Sequence, residues 1–211
     1  RVLSRSPPAL RLFDAGVDVL TGGNHLWDRK ESLGYLAEET RLVRPLNLPP
    51  GTPGEGWRIV RAADGTAVGI VNLLGRVFMK EVDDPFRAVD AALEAMRERC
   101  KVVVVDIHAE TTAEKVALGW HLDGRASLVV GTHTHAPTAD HRILAGGTAF
   151  VSDVGMTGDY DSVIGMSKEE PINRFLRRIP SARFEPPNGP GTLCGVAVVT
   201  DPGDYDRIIA E

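Results

Sequence analysis

Apolar residues along this chain gather into short runs broken by polar turns, and the period of each run predicts its element. "KVVVVDI" (101–107) and "ASLVV" (126–130) are continuously apolar over strand length, the pattern of strands buried on both faces. "VDVLT" (17–21) reads as a third strand. "WRIVRA" and "AVGIVNLL" flank the turn "ADG" and predict a β-hairpin, and "HRILAGGTAFVSD" predicts a second around Gly146 and Gly147. "TLCGVAVVT" is expected as a late strand, with "RIIAE" beginning another. Helical spacing is clearest in "DPFRAVDAALEAMRERC", where Val89, Leu93 and Met96 share a face and Asp84 can cap the start. "TTAEKVALGWHL" is a second helix with Thr111 or Thr112 as cap, "EPINRFLRRI" and "RKESLGYLAE" are shorter ones, and Ser6 caps an opening helix that ends at Gly16. "RLVRPLNLPPGTPGEG" holds too much Pro and Gly to be regular throughout. Helices alternate with buried strands early and hairpins dominate late. The expectation is one α/β domain over residues 1–211, with a mixed sheet or two packed sheets.

Composition narrows the function. A formal net charge of -5 offers no basic surface for duplex nucleic acid, so a phosphate substrate needs another source of positive charge. No apolar run approaches the roughly 18 residues of a membrane span, and no membrane partner is expected. Cys100 and Cys194 form no C-x-x-C pair and read as free thiols in a reducing, cytoplasmic compartment. The opening "RVLSRSPPAL" has no apolar core of a signal peptide and no initiator Met, so a segment is expected upstream.

The chemistry concentrates at strand ends. "VDVLT" runs into Gly22-Gly23-Asn24-His25, "KVVVVDI" into His108-Ala109-Glu110, and "SLVV" into Gly131-Thr132-His133-Thr134-His135. Sites in α/β sheets collect at the carboxyl ends of strands, so three parallel neighbours would bring these loops together. Four of the six histidines lie in them, which argues for a metal centre over a polar surface loop. The i, i+2 spacing of His133 and His135 lets both rings address one metal or two adjacent ones, and Gly131 permits close backbone approach.

At these residues a resemblance becomes specific. "GGNHLWDRKE", "DIHAETTAEKVALGWHLDGRAS" and "VVGTHTHAPTAD" resemble the calcineurin-like metallophosphoesterases, in particular a bacterial branch that opens 2′,3′-cyclic nucleotides as a 2′-phosphodiesterase. "LVRPLN", "GTPGEGW", "VNLLGRVFM", "DDPF" and "VSDVGMTGDYDSVIGM" extend it over nearly the whole chain. The resemblance implies a four-layer αββα sandwich with mixed sheets and two metal ions, Fe, Mn, Zn or Mg, at the carboxyl edge. It implies Asn24, His108 and His133 as ligands of one ion, His135 as a ligand of the other, and His25 as proton donor to the leaving oxygen. It further implies a small phosphodiester substrate attacked by metal-activated hydroxide.

The chain departs from that pattern at its start. The family's amino-terminal strand ending in G-D, and a second ending in N-x-E-N, have no match, so a β-α-β portion of roughly 40 residues is expected to be missing. The set Asn24, His108 and His133 would then hold one ion at most, and His135 would lack partners. Unpaired edges are expected on "VDVLT" or "KVVVVDI", which favours association of copies into a homo-oligomer. Two other functions remain open: a catalytically impaired regulatory or scaffolding relative, and a phosphomonoesterase. Among the remaining polar residues, Glu110 is expected to orient His108, Asp106 to pair locally, and His121 and His141 to be structural. Arg174, Arg177 and Arg178 read as a solvated face.

Overall fold

The computed structural model describes residues 7–28, 32–200 and 208–210, so the expected cap Ser6 lies outside the described residues. Its centre is a six-stranded mixed sheet. In chain order the strands are β1 (Leu20–Thr21), β2 (Leu42–Val43), β3 (Trp57–Arg61), β4 (Ala67–Leu74), β5 (Val102–His108), β6 (Leu128–Thr132), β7 (Arg142–Ile143), β8 (Ala149–Val151), β9 (Val198–Thr200) and β10 (Ile208–Ala210). The helices are α1 (Pro7–Asp14), α2 (Ser32–Glu38), α3 (Pro85–Met96), α4 (Thr112–His121) and α5 (Glu169–Arg177). Spatial order in the sheet is β3-β4-β5-β6-β8-β7. β4, β5, β6 and β8 run parallel, and the two hairpins supply the antiparallel edges β3 and β7. This is the expected α/β class with a mixed sheet.

The continuously apolar strands are central because both their faces are covered. Val71, Leu73, Val105, Ile107 and Val129 are buried with Val89, Ala92 and Met96 of α3 and Leu118 of α4. Asp84 caps α3 as expected, its carboxylate accepting from the backbone of Phe86 and Arg87. Thr111 occupies the cap position of α4, but its hydroxyl makes no capping bond.

Two expectations need correction, and a third holds for one of its two strands. Of the strands expected to have an unpaired edge, β5 has none, lying between β4 and β6, whereas β1 has only β2 beside it among the described residues. β1 is not a neighbour of β5; it pairs with β2 in a separate two-stranded parallel sheet, Leu20 opposite Leu42. The Pro- and Gly-rich segment therefore contains a strand, one that two residues of tertiary pairing create and no period could announce. The late strand is also shorter than expected: β9 spans only Val198–Thr200 and forms a hairpin with β10.

Candidate metal centre

β5 and β6 end side by side, His108 opposite Thr132. The 3-10 turn Gly23–His25 after β1 closes over them. Gly23 is fitted to that approach: a Cβ there would lie 2.9 Å from the His108 ring, and its φ of +63° is one that L residues rarely adopt. The turn is tied down by the Gly23 amide donating to Asn72 Oδ1 on β4. The loop ends thus meet although one of the three strands lies outside the main sheet.

Three side chains converge. Asn24 Oδ1 lies 2.9 Å from His108 Nε2, and His133 Nδ1 lies 3.1 Å from the same nitrogen. The contacts behind them decide which atoms carry protons. The Thr132 hydroxyl donates to Asp106 Oδ1 at 2.8 Å, so it can only accept from His108 Nδ1 at 3.0 Å. His133 Nε2 donates to Glu110 Oε2 across 3.0 Å. Burial first, then the electrostatic effect of the neighbouring His133 and Lys115, holds His108 down to about 3, so its ring is neutral at physiological pH. Burial lowers His133 too, against the pull of Glu110. Each ring therefore keeps its one proton on the backing side, and the His108 Nε2 lone pair faces both His133 Nδ1 and the Asn24 oxygen.

Three acceptors facing one another repel unless a cation sits among them. Their spacing fits one: ligands at bonds of about 2.0–2.2 Å on adjacent positions of an octahedron stand about 3 Å apart. No group of three or more His, Cys, Asp or Glu side chains able to hold a metal occurs among the described residues, because the third donor here is an amide oxygen. The donor set of two imidazoles and one carboxamide suits Zn, Fe or Mn.

His135 and His25 stand apart from that set. Thr134 separates the two histidines of the loop, and both adopt left-handed backbone, φ 109° at His133 and 67° at His135. The consequence is divergence: the His135 ring turns away and donates Nδ1–H to the Ile164 carbonyl at 2.8 Å. His25 points outward with its side chain 70% exposed, and its Nδ1 bonds Asp28 at 2.9 Å.

The loop's conformation is fixed from beneath. Asp153 Oδ2 accepts from the Thr134 amide, the Thr134 hydroxyl and Lys115 Nζ, while Oδ1 accepts from the Gly155 amide. Burial opposes ionisation of Asp153, but Lys115 and the backbone donors outweigh it and keep its carboxyl low. Lys115 and Asp153 are both fully enclosed. Gly131 completes the packing, since a Cβ there would lie 1.8 Å from the Ser152 carbonyl oxygen. Asp106 is backed by Asn72 Nδ2 at 3.1 Å; burial pushes its carboxyl up while Thr21 and Thr132 pull it back.

Sequence reasoning expected Asp106 to pair locally, whereas its carboxylate accepts from Asn72 and Thr132 on the two neighbouring strands; it gave Glu110 to His108, whereas Glu110 holds His133. It missed Thr132, Lys115 and Asp153. Lys115 had a signal: it shares the i, i+3, i+7 face of α4 with Leu118 and Leu122, where a lysine must find a buried partner. His121 is structural as expected, bonded to Asp90 at 2.9 Å. Both cysteines are free.

Comparison with known proteins identifies the family. The chain is 48% identical over 190 residues to the 2′,3′-cyclic-nucleotide 2′-phosphodiesterase of Bacillus subtilis, covering 90% of this chain and 71% of that one. The curated relatives it matches are spanned over 60% to 71% of their length. A crystal structure of a hypothetical protein from Thermus thermophilus superposes with a TM-score of 0.90 at 44% identity, over 100% of this chain and 80% of the other. A structure described as a novel phosphatase from Mycoplasma pneumoniae superposes with a TM-score of 0.85 at 34% identity, over 95% and 72%. Residues 6–209 match the family described as YmdB-like protein, and the chain belongs to that family.

Proposed function

We propose that this chain carries the active site of a phosphoester hydrolase that opens small phosphodiesters, 2′,3′-cyclic nucleotides above all, with a metal held at Asn24, His108 and His133 and with His25 as proton donor. The observation that carries this reading is the convergence of the Asn24 oxygen with two imidazole nitrogens, whose rings have their protons held on the far side by Thr132 and Glu110. An acidic chain binding a phosphate anion needs a cation, and this set supplies its seat. The Bacillus subtilis relative's activity supports the choice of substrate.

A metal bound there would polarise the phosphoryl oxygens and acidify bound water. The chain's own residues do the rest. Asn24 and His25 are consecutive in a tight turn, so one faces inward to His108 while the other faces outward. With Nδ1 engaged by Asp28, His25 presents Nε2 to the substrate. As water oxygen bonds to phosphorus and the bond from phosphorus to O2′ breaks, the ring acts in its imidazolium form: Nδ1–H stays on the Asp28 carboxylate, the Nε2 proton passes to O2′, and a neutral ring is left. The product is a nucleoside 3′-phosphate. His135, beside this set but not part of it, is the side chain available to a second ion.

The test is to assay the purified protein with Mn²⁺ against a 2′,3′-cyclic nucleotide and a nitrophenyl phosphate monoester. The cyclic diester should be opened in preference. Faster turnover of the monoester would make the site a phosphomonoesterase. Mn²⁺ binding with no turnover of either would make the chain a non-catalytic relative.

A further inference from the structure

Backbone strain in this chain is concentrated rather than scattered. Among the described residues five non-glycine positions have positive φ: Phe78, His133, His135, Ile164 and Arg178. Arg178 is the left-handed cap that ends α5, an ordinary place for it. Two others are the loop histidines, and Ile164 holds His135 through its carbonyl. Phe78 is the fifth, at φ 61°, and nothing in the metal chemistry accounts for it.

Phe78 is also 88% exposed, the most exposed of the large apolar residues described. Burial in this chain therefore gives it nothing, yet the backbone beneath it is held in a costly conformation. The holding contacts are specific. Gly75 follows β4 directly, and its amide donates to the His108 carbonyl at 3.0 Å. The amides of Arg76 and Val77 donate to the Glu114 carboxylate at 2.9 to 3.3 Å. Glu114 lies in the first turn of α4, the helix that leaves the His108 loop. Met79 closes the turn by donating to the Arg76 carbonyl at 3.3 Å. The ring is thus carried on a loop fastened at both the strand end and the helix that flank the metal centre. Three residues reach at most about 10–11 Å, which keeps Phe78 within that distance of the Gly75 amide bonded to His108. By contrast Phe175 and Leu176 are as exposed but sit in regular helix, with no contact to the site's loops among those described.

We infer that Phe78 is the platform on which the nucleobase of the substrate stacks. This rests on the proposed hydrolysis of nucleotide diesters. With the phosphate at the Asn24–His108–His133 set, only the ribose separates it from the base, which must come to rest on the surrounding rim. A flat aromatic face there accepts any base, since every base has a π-face, and so gives affinity without strong base preference.

The experiment compares wild type, Phe78→Ala and Phe78→Trp with Mn²⁺ present, titrating adenosine 3′-monophosphate and, separately, inorganic phosphate. Phe78→Ala should weaken nucleotide binding roughly tenfold and leave phosphate unchanged, because stacking is lost and nothing else. Phe78→Trp should retain nucleotide binding, and its indole fluorescence should be quenched by the nucleotide. Unaltered nucleotide affinity in Phe78→Ala, or equal loss for nucleotide and phosphate, overturns the platform, as does a wild type that binds phosphate but not the nucleotide. A wild type that binds nucleotide through Phe78 yet opens no cyclic diester upholds the platform and sinks the hydrolase instead.

Discussion

The floor and the rim of the proposed metal centre are built on opposite terms. On the floor, Asn24, His108 and His133 share one point, and both rings have their second nitrogen occupied from behind by Thr132 or Glu110. On the rim, the side chains of His25 and His135 each make a single described hydrogen bond, with Asp28 and with the Ile164 carbonyl. The difference suits the roles proposed for each. A metal donor must offer a lone pair in a fixed direction, which needs a fixed tautomer and therefore a partner behind it. A proton donor must reach a substrate that comes and goes, which needs exposure.

Breaking the floor should give the largest effect. His108→Ala is expected to weaken Mn²⁺ binding beyond the about 10–100-fold typical of losing a mere backing partner, whereas His135→Ala should cost less than about tenfold. Equal losses in calorimetric titration would abolish the distinction between floor and rim. Next in size is the rim's own failure. His25→Ala should lower turnover of a 2′,3′-cyclic nucleotide by about 10²-fold while Mn²⁺ affinity stays put. If both fall together, His25 belongs to the floor. Thr132→Val is smaller and sharper. It keeps the β-branched shape in β6 but removes the hydroxyl that fixes His108 and also serves Asp106, so Mn²⁺ affinity should fall about tenfold, the low end for an outer partner, and the melting temperature should fall too, because two buried groups lose a hydrogen bond. An unaltered affinity would mean that the tautomer of His108 is not set by Thr132.

How much of this could be read from the sequence divides along the same line. "KVVVVDI", "SLVV" and the first hairpin announce themselves because burial on both faces demands continuous apolar runs, and Asp84 marks α3 because a cap is a local event. The floor residues stood out because nitrogen ligands after buried strands are chemically unusual. What escaped was whatever depends on contacts distant in sequence. Leu42–Val43 becomes a strand only by lying beside Leu20–Thr21. Glu110 chooses His133 over the nearer His108 because the left-handed backbone at His133 turns that ring toward it. Asp153 looked like one more polar residue after a strand, yet four donors from three parts of the chain end on its carboxylate.

The smallest expected effect on the site comes from acid, and it tests whether the floor is insulated from the periphery. Glu170, in α5, accepts from the Ser181 hydroxyl and amide and from Arg174 Nε, and these donors, Ser181 first and then Arg174, lower its carboxyl to about 2. Its folded value is thus below that of the unfolded chain. The stabilisation is fully present above the ordinary Glu range and is lost as pH falls through about 4.5 toward 2, because the unfolded state takes up the proton first. Glu170→Gln should therefore melt lower than wild type at neutral pH, and the gap should narrow steadily as the pH is lowered through that window. A gap independent of pH would show that the Glu170 charge is not what fastens the segment around Ser181. Mn²⁺ affinity of the same variant at neutral pH should match wild type, because none of the floor's described contacts runs to α5. The rim has one indirect route, since the chain leads from Ile164, which holds His135, into α5. A loss of affinity in Glu170→Gln would therefore mean that His135 shares in the ion seated on the floor, and that floor and rim are one site.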